Sequence, residues 1–284
     1  MTLDLFLFKL ILIPVLIGSM ILAGRRLGPV INGLLVGLPL TTGPISLILA
    51  RQFGLEFAAR AAVGNLAGQV SMCVFCLVYC LAAQKNSWWS SAFSAVGAFI
   101  LATLLLNQIS WQLWPAFFFL LVVIGLSASF IPRHVPAVQA AVTPRWDLPA
   151  RMIVATLFVL LMTAFANILG PQLSGLISTF PIFGVIFATL THSRQGAIAA
   201  SNLVRGIILG SLSYAFFFLC VGISLTRSGI PLTYFMASTV AVSNSAIFIS
   251  SPVQKKRLRT CERYRYDYCH SFPSPCKKRT IVLK

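Results

Sequence analysis

The chain has 284 residues, of which 58% are hydrophobic and 10% are charged, and its formal net charge is +17. This composition excludes an ordinary soluble domain, and several apolar stretches reach the ~20 residues that cross a hydrocarbon core. Because these stretches do not alternate as barrel strands do, a polytopic helical membrane protein is expected. The charge does not indicate nucleic-acid binding, because ten of the 22 basic residues lie after Pro252 and the rest are spread over loops.

The first predicted span covers residues 5–23 and is followed by Arg25 and Arg26. A secretory signal carries its basic residues before the apolar run, so this order favours a retained transmembrane helix. The second predicted span, residues 29–50, contains Pro39 and Pro44. Proline removes a backbone donor and clashes with the preceding turn, so this helix is predicted to be broken. At membrane depth a break persists only where it faces protein or a water-filled cavity.

Three uninterrupted apolar segments follow, and then a polar, proline-containing connection at residues 133–149. Tryptophans at the segment ends are typical of the interfacial belt. After the connection, the seventh predicted span is interrupted again, by Pro181 and Gly184. The spans predicted after the second are residues 58–83, 91–106, 113–131, 150–169, 171–191, 197–225 and 232–249.

One block of the sequence occurs twice. Residues 27–71 align without a gap with residues 169–213, at a constant offset of 142. Of the 45 aligned positions 11 are identical, and most of these are glycine or proline. Since glycine and proline fix backbone geometry, their repetition predicts a repeated shape. A duplicated shape with interrupted helices is typical of secondary transporters.

Each half is predicted to contain five helices, and an odd number makes the second copy enter the membrane from the opposite side. The expected fold class is therefore an all-α polytopic membrane protein with two inverted five-helix repeats and broken second and seventh helices. The positive-inside bias places the connection between them in the cytoplasm. The expected divisions are a first repeat at 1–132, a connection at 133–149, a second repeat at 150–253 and a basic tail at 254–284.

The tail does not fit the repeat, which requires a tenth helix near residues 255–273. That stretch is too rich in Lys and Arg to span a bilayer. It is either a native basic segment that binds anionic lipid, a zinc module, or the product of a reading frame that changes near Ser250. The frame change is favoured because the switch is abrupt and leaves the ninth helix without its partner. The zinc module fits no C-x2-C spacing, and its ligands would be Cys261, Cys269, His270 and Cys276.

The two broken helices form the predicted binding region. Half-helix ends can hold ions or polar groups, and interrupted segments at matching positions indicate a site near the midplane. Alternatively, these helices are only kinked and their hydroxyls bond to their own backbone. Arg205 is either a functional intramembrane charge or a side chain that snorkels to the interface. The predicted substrate-binding residues are Asn32, Pro39, Thr41, Thr42, Pro44, Asn65, Gln69, Ser178, Thr179, Pro181, Asn202 and Arg205.

A small-residue motif also recurs at the offset. Gly64-xxx-Gly68 in the first copy is matched by Gly206-xxx-Gly210 in the second. Glycines at this spacing let helices approach closely, so packing between the two halves is the predicted role of all four.

No motif indicates catalysis. The chain has no Walker loop, HExxH, paired Asp motif or GxSxG, so neither an enzyme nor a cofactor or metal site is expected. Over the first nine helices the layout resembles that of the drug/metabolite transporter superfamily and of the bile-acid/sodium symporter type. The resemblance implies a transporter fold built from two halves, and a fold does not identify a substrate.

The expected function is transport of a small solute or ion by alternating access across a bacterial inner membrane. The alternative is a non-transporting accessory or assembly protein. The scarcity of intramembrane charge favours either this alternative or transport of a neutral or apolar solute. The expected partners are membrane lipids and the unidentified solute, with a homodimer as a further option and no nucleic acid.

Overall fold

A computed structural model of the chain describes residues 37–39, 42–131 and 147–250. Within these ranges the structure is all-helical and contains no strand. The first predicted span, the predicted site residues Asn32 and Thr41, and the basic tail lie outside the described residues. The helices are α1 Thr42–Phe53, α2 Leu55–Ala83, α3 Trp88–Asn107, α4 Leu113–Phe130, α5 Asp147–Ser178 and α6 Ile182–Ser250.

The two longest helices are divided into arms by glycines. In α5 the backbone bends at Gly170, and in α6 it bends at Gly196 and Gly229. These three residues and Gly54, between α1 and α2, have φ between 73° and 91°. With ψ near 170° this conformation is open almost only to glycine. The arms are therefore separate helical segments, and their bounds are 147–169 and 171–178 in α5, and 182–195, 197–228 and 230–250 in α6.

Four helical stretches are long and apolar enough to cross a membrane, which indicates a membrane protein. The outward faces of α3 and α4 expose large apolar side chains, among them Phe93, Leu101 and Phe118. In water such a surface would be costly, whereas lipid tails accept it. The stretches are Leu55–Ala83, Trp88–Asn107, Leu113–Phe130 and Ala164–Ser245, the last of which includes the glycine bends.

Helix α2 is the centre of the fold, since it packs against each of α1, α3, α4, α5 and α6. Its main contact is with the 197–228 arm of α6. Asn65 contacts Tyr214 and Gln69 contacts Ser211, so residue numbers rise along α2 while they fall along the arm. The two helices are therefore antiparallel. Gln69 and Ser211 are separated by 142 residues, which makes them counterparts in the duplicated sequence.

Equivalent hydrogen bonds also recur in the two halves. Thr103 donates from α3 to Ser71 of α2 over 3.0 Å. Ser245 and Ser213, their counterparts at the offset of 142, form a hydrogen bond of the same length between the last two arms of α6. Gly54 and Gly196 are likewise counterparts and share one backbone conformation. The duplicated sequence therefore corresponds to duplicated local geometry in the described residues.

Candidate functional site

At both predicted breaks the helix that follows begins at a proline carbonyl. The Gly43 N–H donates to the Pro39 carbonyl over 2.8 Å, and the Val185 N–H donates to the Pro181 carbonyl over 2.7 Å. Gly43 and Val185 are counterparts, as are Pro39 and Pro181. In each case the proline carbonyl accepts the first hydrogen bond of the helix that follows, as an N-cap residue does. The two prolines therefore fix where α1 and the 182–195 arm begin. Pro44 lies in the first turn of α1, where no internal acceptor is available for an N–H group and proline is tolerated.

A cavity lies where the two breaks meet α2 and the 197–228 arm. The space open to the centres of water molecules is about 40 Å³, room for roughly three waters. Among the described residues that line this cavity, none has a charged side chain. The lining draws on both halves, because it includes counterpart pairs of the duplicated sequence. The pairs are Gly37 with Thr179, Leu38 with Phe180, Thr42 with Gly184, and Met72 with Tyr214.

A buried hydrogen-bond network centred on Asn65 lies behind the lining residues Ser178 and Tyr214. Asn65 Oδ1 accepts from the Tyr214 hydroxyl over 3.0 Å and from the Ser178 hydroxyl over 2.6 Å. Its Nδ2 donates to the Ala61 carbonyl of the preceding turn, which fixes the orientation of the amide. The network joins α2, the 171–178 arm and the 197–228 arm. Buried polar networks of this kind hold a specific arrangement of helices because each partner would be costly to leave unpaired.

One polar group of the lining is not paired by the described residues. The Gln69 Nε2 group donates to Ser211 over 2.7 Å. The side-chain oxygen of Gln69 has no donor among the described residues, so the cavity retains one acceptor for a bound molecule. Thr42, the first residue of α1, is 5% exposed, and its Oγ1 is shielded from the cavity and lies beside the Tyr214 hydroxyl. The Tyr214 oxygen can accept from Thr42 while its proton goes to Asn65.

The two helix ends at the second break differ in how many of their backbone polar groups have hydrogen-bond partners. In the last turn of the 171–178 arm the Gly175 carbonyl lies 2.8 Å from the Ser178 hydroxyl, and the Leu176 carbonyl accepts from Thr179 over 2.6 Å. At the start of the 182–195 arm, the N–H groups of Phe183 and Gly184 have no acceptor among the described residues. The Leu176 carbonyl is therefore paired, whereas the Ser178 proton that could pair the Gly175 carbonyl goes to Asn65, and the N–H groups of Phe183 and Gly184 are unpaired as expected at a helix start.

Five of the described predicted site residues are not in the cavity lining, and they are Pro39, Pro44, Asn65, Asn202 and Arg205. Arg205 Nη1 donates over 2.8 Å to the carbonyl of Ile131, at the C-terminal end of α4. The negative end of a helix stabilises a cation, which gives this intramembrane charge a structural partner. Asn202 is 1% exposed, and neither of its side-chain polar atoms has a hydrogen bond in the structure.

Three of the four glycines of the recurring motif lie at close helix contacts, namely Gly64, Gly68 and Gly210. A Cβ atom on Gly64 would collide with the Gln172 carbonyl, and one on Gly68 would lie 2.8 Å from the Leu176 carbonyl oxygen. In the other half, a Cβ on Gly37 would lie 2.9 Å from the Cα of Gly210. Gly206 is buried in the same arm. These contacts bring each break against the central helix of the other half.

Sequence reasoning missed three contributors to the cavity. Tyr214 was not singled out, since a tyrosine in an apolar helix gives no motif. The backbone amides of Phe183 and Gly184 give no sequence signal beyond the preceding Pro181. The alignment of the two copies could have identified Gly184 as a lining residue, because Gly184 is the counterpart of the predicted site residue Thr42.

Comparison with family models, curated proteins and solved structures gives no match to this chain.

Proposed function

We propose that this chain is a membrane transporter built from two inverted five-helix halves, which moves a small solute or ion by alternating access. The cavity at the meeting point of the two broken helices carries the proposal. It lies between described helices of both halves and is partly open, it has room for about three waters, and the side-chain oxygen of Gln69 in its lining has no donor among the described residues. A helix break that only relieved packing would leave no such space or groups.

The contacts between α2 and the 197–228 arm support the inversion. A two-fold axis relating the halves must pass through any point where counterparts touch, and Gln69 contacts its own counterpart Ser211. Because the two helices are antiparallel there, such an axis is perpendicular to them and lies in the membrane plane. This relation is typical of inverted-topology transporters, whose substrate sites lie near the axis at the repeat interface.

The proposal is tested without knowledge of the substrate by asking from which side the cavity can be reached. Thr42→Cys is introduced into a variant that lacks the seven native cysteines. A membrane-impermeant thiol reagent is then applied to right-side-out and inside-out vesicles. Alternating access predicts that Cys at position 42 reacts from both sides, because each conformation opens the cavity to one side.

Thr233→Cys is the matched control, since Thr233 is fully buried and is not among the lining residues. It should react from neither side. Reaction of the Thr42→Cys variant from one side only would contradict alternating access. Reaction from neither side would support the alternative, a non-transporting accessory protein whose core is closed.

A further inference from the structure

We infer that the cavity binds a small uncharged solute that carries an N–H or O–H donor, and that this donor pairs with the side-chain oxygen of Gln69. The inference rests on the proposed function, since it names the chemical class that the transporter would bind. It follows from an unpaired oxygen in the lining and from the absence of charged side chains among the described lining residues.

The orientation of the Gln69 amide is fixed by Ser211. The Ser211 hydroxyl donates its single proton to the Ile207 carbonyl over 3.0 Å, so towards Gln69 its oxygen can only accept. The group that contacts this oxygen over 2.7 Å is therefore Nε2 of Gln69, and Oε1 is the other branch of the amide. The branch that Ser211 does not use is thus an acceptor.

The Oε1 atom of Gln69 is an acceptor without a donor. The side chain is 3% exposed and lines the cavity, and Oε1 has no donor among the described residues. Unlike Thr42 Oγ1, this oxygen retains surface that water can reach. A buried amide oxygen without a partner costs stability, so a bound molecule that donates a hydrogen bond to it is expected.

The hydroxyls in the lining do not provide this donor. Ser178 and Tyr214 give their protons to Asn65. Thr179 gives its proton to a backbone carbonyl three residues earlier. The second N–H of Gln69 also has no acceptor among the described residues. A ligand group that is both donor and acceptor, such as an amide or a hydroxyl, is therefore complementary to Gln69.

The surroundings of the cavity favour an uncharged ligand. No charged side chain is among the described lining residues, so none neutralises a bound ion. The starts of α1 and of the 182–195 arm and the end of the 171–178 arm all lie at the cavity, so partial charges of both signs meet there. An ion would lose its hydration without gaining a charged partner, whereas a neutral donor loses far less.

The test compares isosteric probes that differ in one group. Acetamide carries an N–H donor, acetone has a methyl group in place of the amide nitrogen, acetate is an anion and acetamidinium is a cation. Each has a size close to that of the roughly three waters that the cavity admits. Binding is measured by saturation-transfer difference NMR of the probe methyl signals with the purified full-length chain in deuterated detergent, and the signal from protein-free micelles is subtracted.

Acetamide should give a saturable signal, with a half-saturating concentration roughly tenfold or more below that of acetone, as expected for one buried hydrogen bond. Acetate and acetamidinium should bind more weakly than acetamide. Equal binding of acetamide and acetone would overturn the role of the donor, and stronger binding of either ion would overturn the uncharged class. The absence of saturable acetamide binding would overturn the inference as a whole.

A pair of variants locates the site. Gln69→Leu should abolish the discrimination between acetamide and acetone, because it removes the acceptor of the ligand donor. Gln195→Leu is the matched control, since the side-chain oxygen of Gln195 is also buried without a hydrogen bond but lies outside the lining. This control should discriminate as the unmodified chain does. Discrimination that persists in Gln69→Leu, or that both variants lose equally, would contradict this site. The probe series on the unmodified chain does not depend on either variant folding.

The outcomes separate this inference from the proposed function. Selective acetamide binding without labelling of the Thr42→Cys variant from both sides would support the site and overturn transport. Labelling from both sides without acetamide binding would overturn the site and leave a transporter for another class of solute.

Discussion

The close contact between α2 and the 171–178 arm makes a sharp prediction for Gly64→Ala. A Cβ at this position would collide with the Gln172 carbonyl oxygen and would lie 3.1 Å from the Gln172 carbonyl carbon. Both are backbone atoms, so relief requires the helices to move apart. Overpacking of this kind costs about 1–3 kcal/mol, and backbone neighbours place this case at the upper end. The variant should therefore lose about 3 kcal/mol relative to an alanine substitution that meets open space.

Gly97→Ala is the matched control, since Gly97 is also a helical glycine and its added Cβ has no atom within 4 Å. Both substitutions gain the same intrinsic helix preference of about 1 kcal/mol, which cancels in the comparison. The assay is unfolding of the purified chain in mixed micelles with increasing dodecyl sulfate, followed by circular dichroism. If Gly64→Ala unfolds within about 0.5 kcal/mol of Gly97→Ala, the size of an ordinary surface substitution, the close contact is not a constraint.

Three further predictions concern stability in the same assay. Gly54→Ala and Gly196→Ala should each lower the free energy of unfolding by about 1–3 kcal/mol from backbone strain alone, because neither Cβ would meet a neighbour. If these variants are as stable as the unmodified chain, the positive φ at the two bends is contradicted. Asn65→Leu should cost about 1–3 kcal/mol, because it removes the acceptor of two buried hydroxyls, and a loss below 0.5 kcal/mol would show that they find other partners. Asn202→Leu should stabilise the chain by about 1 kcal/mol or more, because both polar atoms of Asn202 are buried and unpaired, and a loss of stability would indicate a bound water or ligand.

The positions of the helices could be predicted from the sequence because apolar length and proline both act locally. Predicted spans at 58–83, 91–106 and 113–131 correspond to α2, α3 and α4 within three residues at each end. The breaks at Pro39 and Pro181 were predicted because proline removes a backbone donor and clashes with the preceding turn. The structure adds that each proline carbonyl also begins the next helix.

The contents of the cavity were less predictable, because they depend on which helices meet. Thr42, Gln69, Ser178 and Thr179 are predicted site residues that line it together. Arg205 was included because a buried charge commonly has a functional role, but the sequence could not show that the Ile131 carbonyl lies within reach. That contact joins residues 74 positions apart, and such distances are set by packing rather than by local pattern.

The two halves share backbone geometry but not the side chains that hold the breaks in place. Asn65, Ser178 and Tyr214 bind the second break to α2, whereas their counterparts Ile207, Val36 and Met72 cannot form hydrogen bonds of this kind. Interhelical hydrogen bonds in membranes are worth about 0.6–2 kcal/mol each. If the halves exchange conformations as proposed, the exchange is therefore not symmetric in free energy. In that proposal the glycines and prolines of the duplicated sequence would permit two equivalent arrangements, and the unshared polar side chains would determine which of them is more stable.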